Sequence, residues 1–145
     1  MIWGDKTLAY FDIWSIEHLV SGITLGSLII FIYDKLSIKE KDANYKWLYY
    51  ISVIFVAYLW ESLEHYLETG LINETVTFWF QGVEFWGNRL ITDPLLLILG
   101  SFLYLRYNQL VKFARLFSGA WLISHIFIFP HSMYLQEQLL QFLSS

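Results

Sequence analysis

The chain has no cysteine and only two prolines in its 145 residues. The first absence excludes disulfides and thiolate metal sites, and the second leaves long stretches without a helix breaker. Charge is also scarce, at 15% of residues against about 25% in soluble domains. A formal net charge of −4 provides no basic stripe for nucleic acid. The opening "MIWGDKTLAYFDIW" lacks a basic leader, an apolar core and a small-residue cleavage site, so the first apolar segment is read as retained structure. What is abundant is apolar surface: 57% of residues are hydrophobic and 20% aromatic. Such a composition points to one integral membrane domain over residues 1–145.

A helix crossing ~30 Å of hydrocarbon needs about 20 residues. Four segments qualify, at about 13–33, 47–67, 91–107 and 110–129, the last stopped by Pro130. Backbone groups in lipid must be satisfied internally, so the expectation is an all-α fold, a transmembrane four-helix bundle. The third span is the shortest. "TDPLLLILG" puts Asp93 where an N-cap belongs and Pro94 at the first helical position. The connection before it, with its aromatic piece "FWFQGVEFWGN", suits an interfacial or re-entrant segment. "HSMYLQEQLLQFLSS" suits a short interfacial helix at the C-terminus.

Seven of the nine Lys and Arg residues lie at one level: Lys35, Lys39, Lys41, Lys46, Arg106, Lys112 and Arg115. The positive-inside rule makes that side cytoplasmic, with both termini on the other side of a cytoplasmic (inner) membrane. Ten of the thirteen acids, and all four histidines, gather at the opposite, extracytoplasmic end. Span two shows this most sharply, closing in "WESLEHYLE". A charge held in hydrocarbon costs a few kcal/mol even on mild scales, so the placement needs a reason.

On a helix Glu61, Glu64, His65 and Glu68 share one face about 100° wide. Crowded carboxylates repel until a proton, a cation or a metal compensates them. Carboxylate and imidazole at i, i+3 and i+4 resemble the spacing of carboxylate-rich metal bundles. Candidate metal ligands are therefore His18, His65, His125, Glu61, Glu64 and Asp93, with Glu61 and Glu64 as candidate catalytic carboxylates. Nitrogen and oxygen donors without sulfur suit zinc, manganese, iron or copper. Haem is disfavoured, because the glutamates make a poor pocket for it.

The competing reading is simple solvation at the water interface, which best describes Asp5, Asp12, Glu68, Glu74 and Glu137 and competes evenly for Glu61, Glu64 and His65. His18, Gly22 and Gly26 share a face, and the small-residue spacing predicts a close helix contact that turns His18 toward protein. Glu17 points about 100° away from His18. Arg89 and Asp93, four apart, are expected either to pair across a turn or to leave Arg89 free for an anionic headgroup. Asn88, Glu84 and Trp86 join Arg89 as candidate substrate contacts.

"WESLEHYLE" followed by "FQGVEFWGNRLITDPLLLILG" resembles the VanZ-like small membrane proteins and their YjdF-type relatives over roughly residues 13–105. The residues that carry the resemblance are Glu61, Glu64, Gln81, Gly82, Trp86, Asp93 and Gly100, with His18 and Gly22 fitting more loosely. An aromatic residue is common where His65 stands, and the acid expected beside Trp86 is displaced to Glu84. The resemblance implies a multi-span protein of the cytoplasmic membrane.

Two functions follow from the sequence. One is an outward-facing acidic and histidine-lined pocket that binds a metal ion, a lipid-like headgroup, or both, including as a lipid-modifying enzyme. The other is a non-catalytic small subunit, using its 10 Tyr, 12 Phe and seven Trp against partner helices or further copies of itself.

Overall fold

The computed structural model describes residues 1–80, 82–128, 137–138 and 141–142. The described residues are helical, with no strand among them: α1 (Ile13–Lys35), α2 (Tyr45–Glu68), α3 (Glu74–Phe80), α4 (Asp93–Arg106) and α5 (Leu110–Phe127). A π-helical turn over Asn88–Thr92 runs straight into α4. Two stretches, Ile13–Lys35 and Asn88–Arg106, are long and apolar enough to cross a membrane. The segment after Pro130 lies outside the described residues apart from two helical pairs.

α1 begins at Asp12 because its carboxylate accepts the N–H groups of Trp14 and Ser15 at 2.7 and 3.1 Å. Ser15 Oγ accepts the Asp12 N–H in return, closing a reciprocal capping box. α1 then packs mainly on α4. The contact is made by glycine: a Cβ on Gly22 would come to 2.2 Å of the Leu97 carbonyl oxygen, and one on Gly100 to 2.0 Å of the Leu19 oxygen. The close contact expected at Gly22 is thus present, with Gly100 as its unforeseen partner.

The third span differs from its expected start. Asp93 is not an N-cap, because the helical path begins five residues earlier at Asn88. Pro94 has no N–H for the carbonyl of Leu90 four residues back. The Tyr58 hydroxyl of α2 supplies the missing donor at 3.0 Å, which lets the helix continue through the proline. Released from capping, the Asp93 carboxylate is free to turn toward α1.

The buried apolar core lies in the half nearer the 36–44 loop, built from Ile29 and Tyr33 of α1, Tyr49, Val53 and Ala57 of α2, and Leu97 of α4. Around it the surface is apolar too: Leu28, Phe31, Ile51, Phe55, Leu59, Leu95, Leu99, Phe102, Phe113 and Leu116 are all exposed. The other half reverses this arrangement, burying Lys6, Asp12, Ser15, His18, Glu61, Glu68, Glu84, Asn88, Arg89 and Asp93.

Candidate metal centre

Residues 1–12 double back on themselves, with Gly4 N–H donating to the Phe11 carbonyl and Phe11 N–H to that of Ile2. This places Lys6 inside the polar half, 1% exposed. Its ammonium bonds one oxygen of Glu68, and Arg89 bonds the other. Glu68 also accepts the Glu84 N–H at 3.1 Å, and the Lys6 carbonyl accepts the Phe85 N–H at 2.8 Å. The N-terminal segment, the end of α2 and the 83–87 segment are therefore tied to one carboxylate. Arg89 does not pair with Asp93. The π-turn closes i to i+5, and its wider spiral sends Arg89 toward Glu68 and Glu84 while Asp93 faces α1.

Beside Glu68, whose two oxygens are both engaged, lies a carboxylate whose oxygens are not. His18 of α1 is buried between Glu61 of α2, at 3.2 Å from Nε2, and Asp93 of α4, at 3.6 Å from Nδ1. Nδ1 also lies 3.0 Å from the Trp14 carbonyl oxygen. A carbonyl can only accept, so Nδ1 carries a proton and the orientation of the ring is set. Ser15 Oγ donates to Asp93 at 3.1 Å, fixing that carboxylate in turn. Carboxylate support behind a histidine is how protein metal ligands are usually oriented.

Nε2 then faces Glu61, yet the two are out of line for a hydrogen bond. Nε2 and both Glu61 oxygens are buried without a hydrogen-bond partner among the described residues. An unmet buried carboxylate is costly, and one facing an imidazole lone pair needs a cation or a proton between them. A ligand atom each from His18, Glu61 and Glu64 comes within 4.8 Å of the others, so this group could hold a metal ion. Metal–nitrogen and metal–oxygen bonds of about 2.1 Å spanning 3.2 Å subtend an angle of about 100°, within reach of a first coordination shell. Oxygen and nitrogen donors match the expected zinc, manganese, iron or copper(II) chemistry.

Charge leads to the same point. Six carboxylates meet here: Asp12, Glu61, Glu64, Glu68, Glu84 and Asp93. The fixed cations, Lys6 and Arg89, are drawn to Glu68. Asp12 is held by two backbone N–H groups and by Asn88 Nδ2 at 3.2 Å, while burial pushes its carboxyl above the usual range. Glu84 accepts from Asn88 at 2.9 Å. Burial, and then the negative charges of Asp93, Glu64 and Glu61, push it up to about 10, so it holds its proton at neutral pH. That leaves Glu61, Glu64 and Asp93 around one imidazole, an acidic cluster whose charge a divalent cation or bound protons would offset.

The structure brings together His18, Glu61, Glu64 and Asp93 from the sequence-derived candidates, with Glu84, Asn88 and Arg89 alongside. His65 is exposed and stands outside the group; the end of α2 turns it away while Glu61 and Glu68 turn inward. Trp86 is 57% exposed and does not line the group. The side chains of His125 and Gln81 lie outside the described residues. Solvation, the expectation for Asp12 and Glu68, gives way to full burial at 0% and 1% exposure. Sequence reasoning missed Lys6 and Ser15. A signal existed for each: Lys6 and Arg89 are the only cations at the acidic end, and "DIWS" is a capping pattern that brings Ser15 to Asp12. No family model, curated protein or solved structure matches the chain.

Proposed function

We propose that the chain is an integral protein of the cytoplasmic membrane, a four-span bundle of VanZ-like type with both termini outside. In this reading its outward end binds a divalent metal through His18, Glu61 and Glu64 and presents it to a lipid-like headgroup. The observation that carries the proposal is the buried Glu61 carboxylate, neither oxygen hydrogen-bonded among the described residues and one of them 3.2 Å from His18 Nε2. The exposed apolar belt supports the membrane setting, since a soluble fold would bury those side chains.

A divalent ion in such a site lowers the pKa of bound water and polarises an ester or phosphoryl oxygen. The roles of the chain's own residues follow from burial. Glu61 is the deep ligand. Asp93 and the Trp14 carbonyl hold the His18 ring with Nε2 inward. Glu64, only partly buried, is placed to take a proton during lipid modification. Arg89 and Asn88 anchor the wall behind these groups, and Arg89 is engaged by Glu68 and does not reach for a headgroup.

The test is the metal content of protein purified in mild detergent without chelator. One zinc, manganese, iron or copper per chain, lost in both His18→Ala and Glu61→Ala, is the expected result. A chain that stays metal-free after dialysis against each ion, with no rise in melting temperature, overturns it. A second reading, a non-catalytic subunit that binds partner helices or copies of itself, draws on the exposed Phe113 and Leu116 of α5, at 63% and 74%. It predicts that replacing both with serine breaks an assembly and leaves metal content unchanged.

A further inference from the structure

A cavity of about 550 Å³ lies beside the His18 group, over α1 and between α2 and α5. Both flanking helices pack on α1, and their facing walls are apolar: Val56 and Trp60 on α2, Trp121 and Leu122 on α5. His18 and Glu64 stand at one end of it. At the other lies the exposed Arg115, its guanidinium donating to Ser27 Oγ at 2.9 Å. From His18 to Ser27 is nine residues of α1, about 14 Å, enough for a chain of roughly ten carbons.

Three observations mark this as a site that receives something. Gly119 sits in the interior of α5, where glycine costs about 1 kcal/mol relative to alanine, yet a Cβ there would meet nothing within 4 Å. Gly22 and Gly100 are explained by backbone contact; Gly119 is not, and it lines the cavity. The buried Trp121 indole N–H and Thr24 hydroxyl, also on the lining, have no hydrogen-bond partner among the described residues. And the only acidic group on the wall besides Glu17, which accepts from Ser21, belongs to the His18–Glu61–Glu64 set.

An apolar wall about 14 Å long with a polar group at one end suits a single alkyl chain that carries a polar headgroup.

We infer that this cleft seats one hydrocarbon chain of a membrane amphiphile whose anionic oxygen headgroup lies at the His18–Glu64 end. The inference rests on the proposed metal centre for the headgroup and on the cleft alone for the chain. Lateral entry has a physical advantage: the tail passes from lipid to an apolar wall with little change in environment, so headgroup contacts decide binding. The Trp121 N–H supplies a donor to a headgroup oxygen while another oxygen faces the cation.

The experiment uses the full chain in nanodiscs and follows tryptophan fluorescence, since Trp14, Trp60 and Trp121 line the cleft. The probe is a monoalkyl phosphate with a dibrominated chain. The expected result is saturable quenching at one probe per protein, abolished by Gly119→Phe or Leu122→Trp with melting temperature and metal content unchanged. Quenching that rises linearly with probe and is the same in both variants overturns the inference. An alkyl trimethylammonium of the same brominated chain should not saturate; if it matches the phosphate, the headgroup assignment falls. Saturable quenching in a wild-type protein found to bind no metal would keep the cleft and remove the metal centre. Stoichiometric metal without saturable quenching would do the reverse.

Discussion

In the half of the bundle near the 36–44 loop, α1, α2 and α4 meet through Ile29, Tyr33, Tyr49, Val53, Ala57 and Leu97. A few turns away the same three helices meet through His18, Glu61 and Asp93. The helices, and hence the backbone spacing, are shared, so the contrast isolates what the side chains do. In the apolar half, polar atoms are few and several are answered, as where the Tyr49 hydroxyl donates to the Ser101 carbonyl at 2.9 Å. In the polar half one subset is closed, with Glu68 saturated by Lys6, Arg89 and a backbone N–H. The other is left open at Glu61. The closed subset holds the polar half together, and the open one is where we propose that a ligand binds.

Glu68→Ala strands two buried cations and should cost about 3–5 kcal/mol, read as a large fall in melting temperature in detergent. Glu61→Gln should move the metal-free protein the other way, by about 1–3 kcal/mol, because it relieves an unmet buried charge. A fall of that size in the metal-free state would mean that Glu61 is a structural partner of His18 and not an open ligand.

Glu84 sharpens the contrast through pH. Its folded-state value, raised to about 10, lies above the value of an unfolded glutamate. The folded state therefore holds the extra proton between the two, and stability from this group is complete below about pH 4 and declines as pH rises toward 10. A melting series across that window should fall with pH in the wild type and flatten in Glu84→Gln. The smallest effect belongs to the apolar half: Tyr49→Phe removes one hydrogen bond and should cost about 1 kcal/mol, with metal content untouched.

Periodicity and length made the helices legible. α1, α2 and α5 fall where the sequence shows apolar runs of about twenty residues, because a long apolar run without proline favours one continuous helix. The start of α4 was not legible. Asp93-Pro94 carries a local capping signal, and that signal was overridden by a hydroxyl from Tyr58, a residue 36 positions before Pro94 in the chain. Glu61 and Glu64 could be singled out because charge at the end of an apolar run is locally anomalous. Asp12, Glu68 and Lys6 could not, since each looks like an ordinary interfacial charge until the N-terminal segment folds over the site.

That the described residues are mainly helical, and that Glu61 and Glu64 come to one level with His18, could be read from the residues alone. These are properties of composition and of a 3.6-residue period, which every residue expresses through its own neighbours. Tertiary structure alone decided which carboxylates are neutralised and which are left open. That choice depends on distances of about 3 Å between residues tens of positions apart, set by the Gly22–Gly100 contact and the π-turn. Local pattern has no access to either.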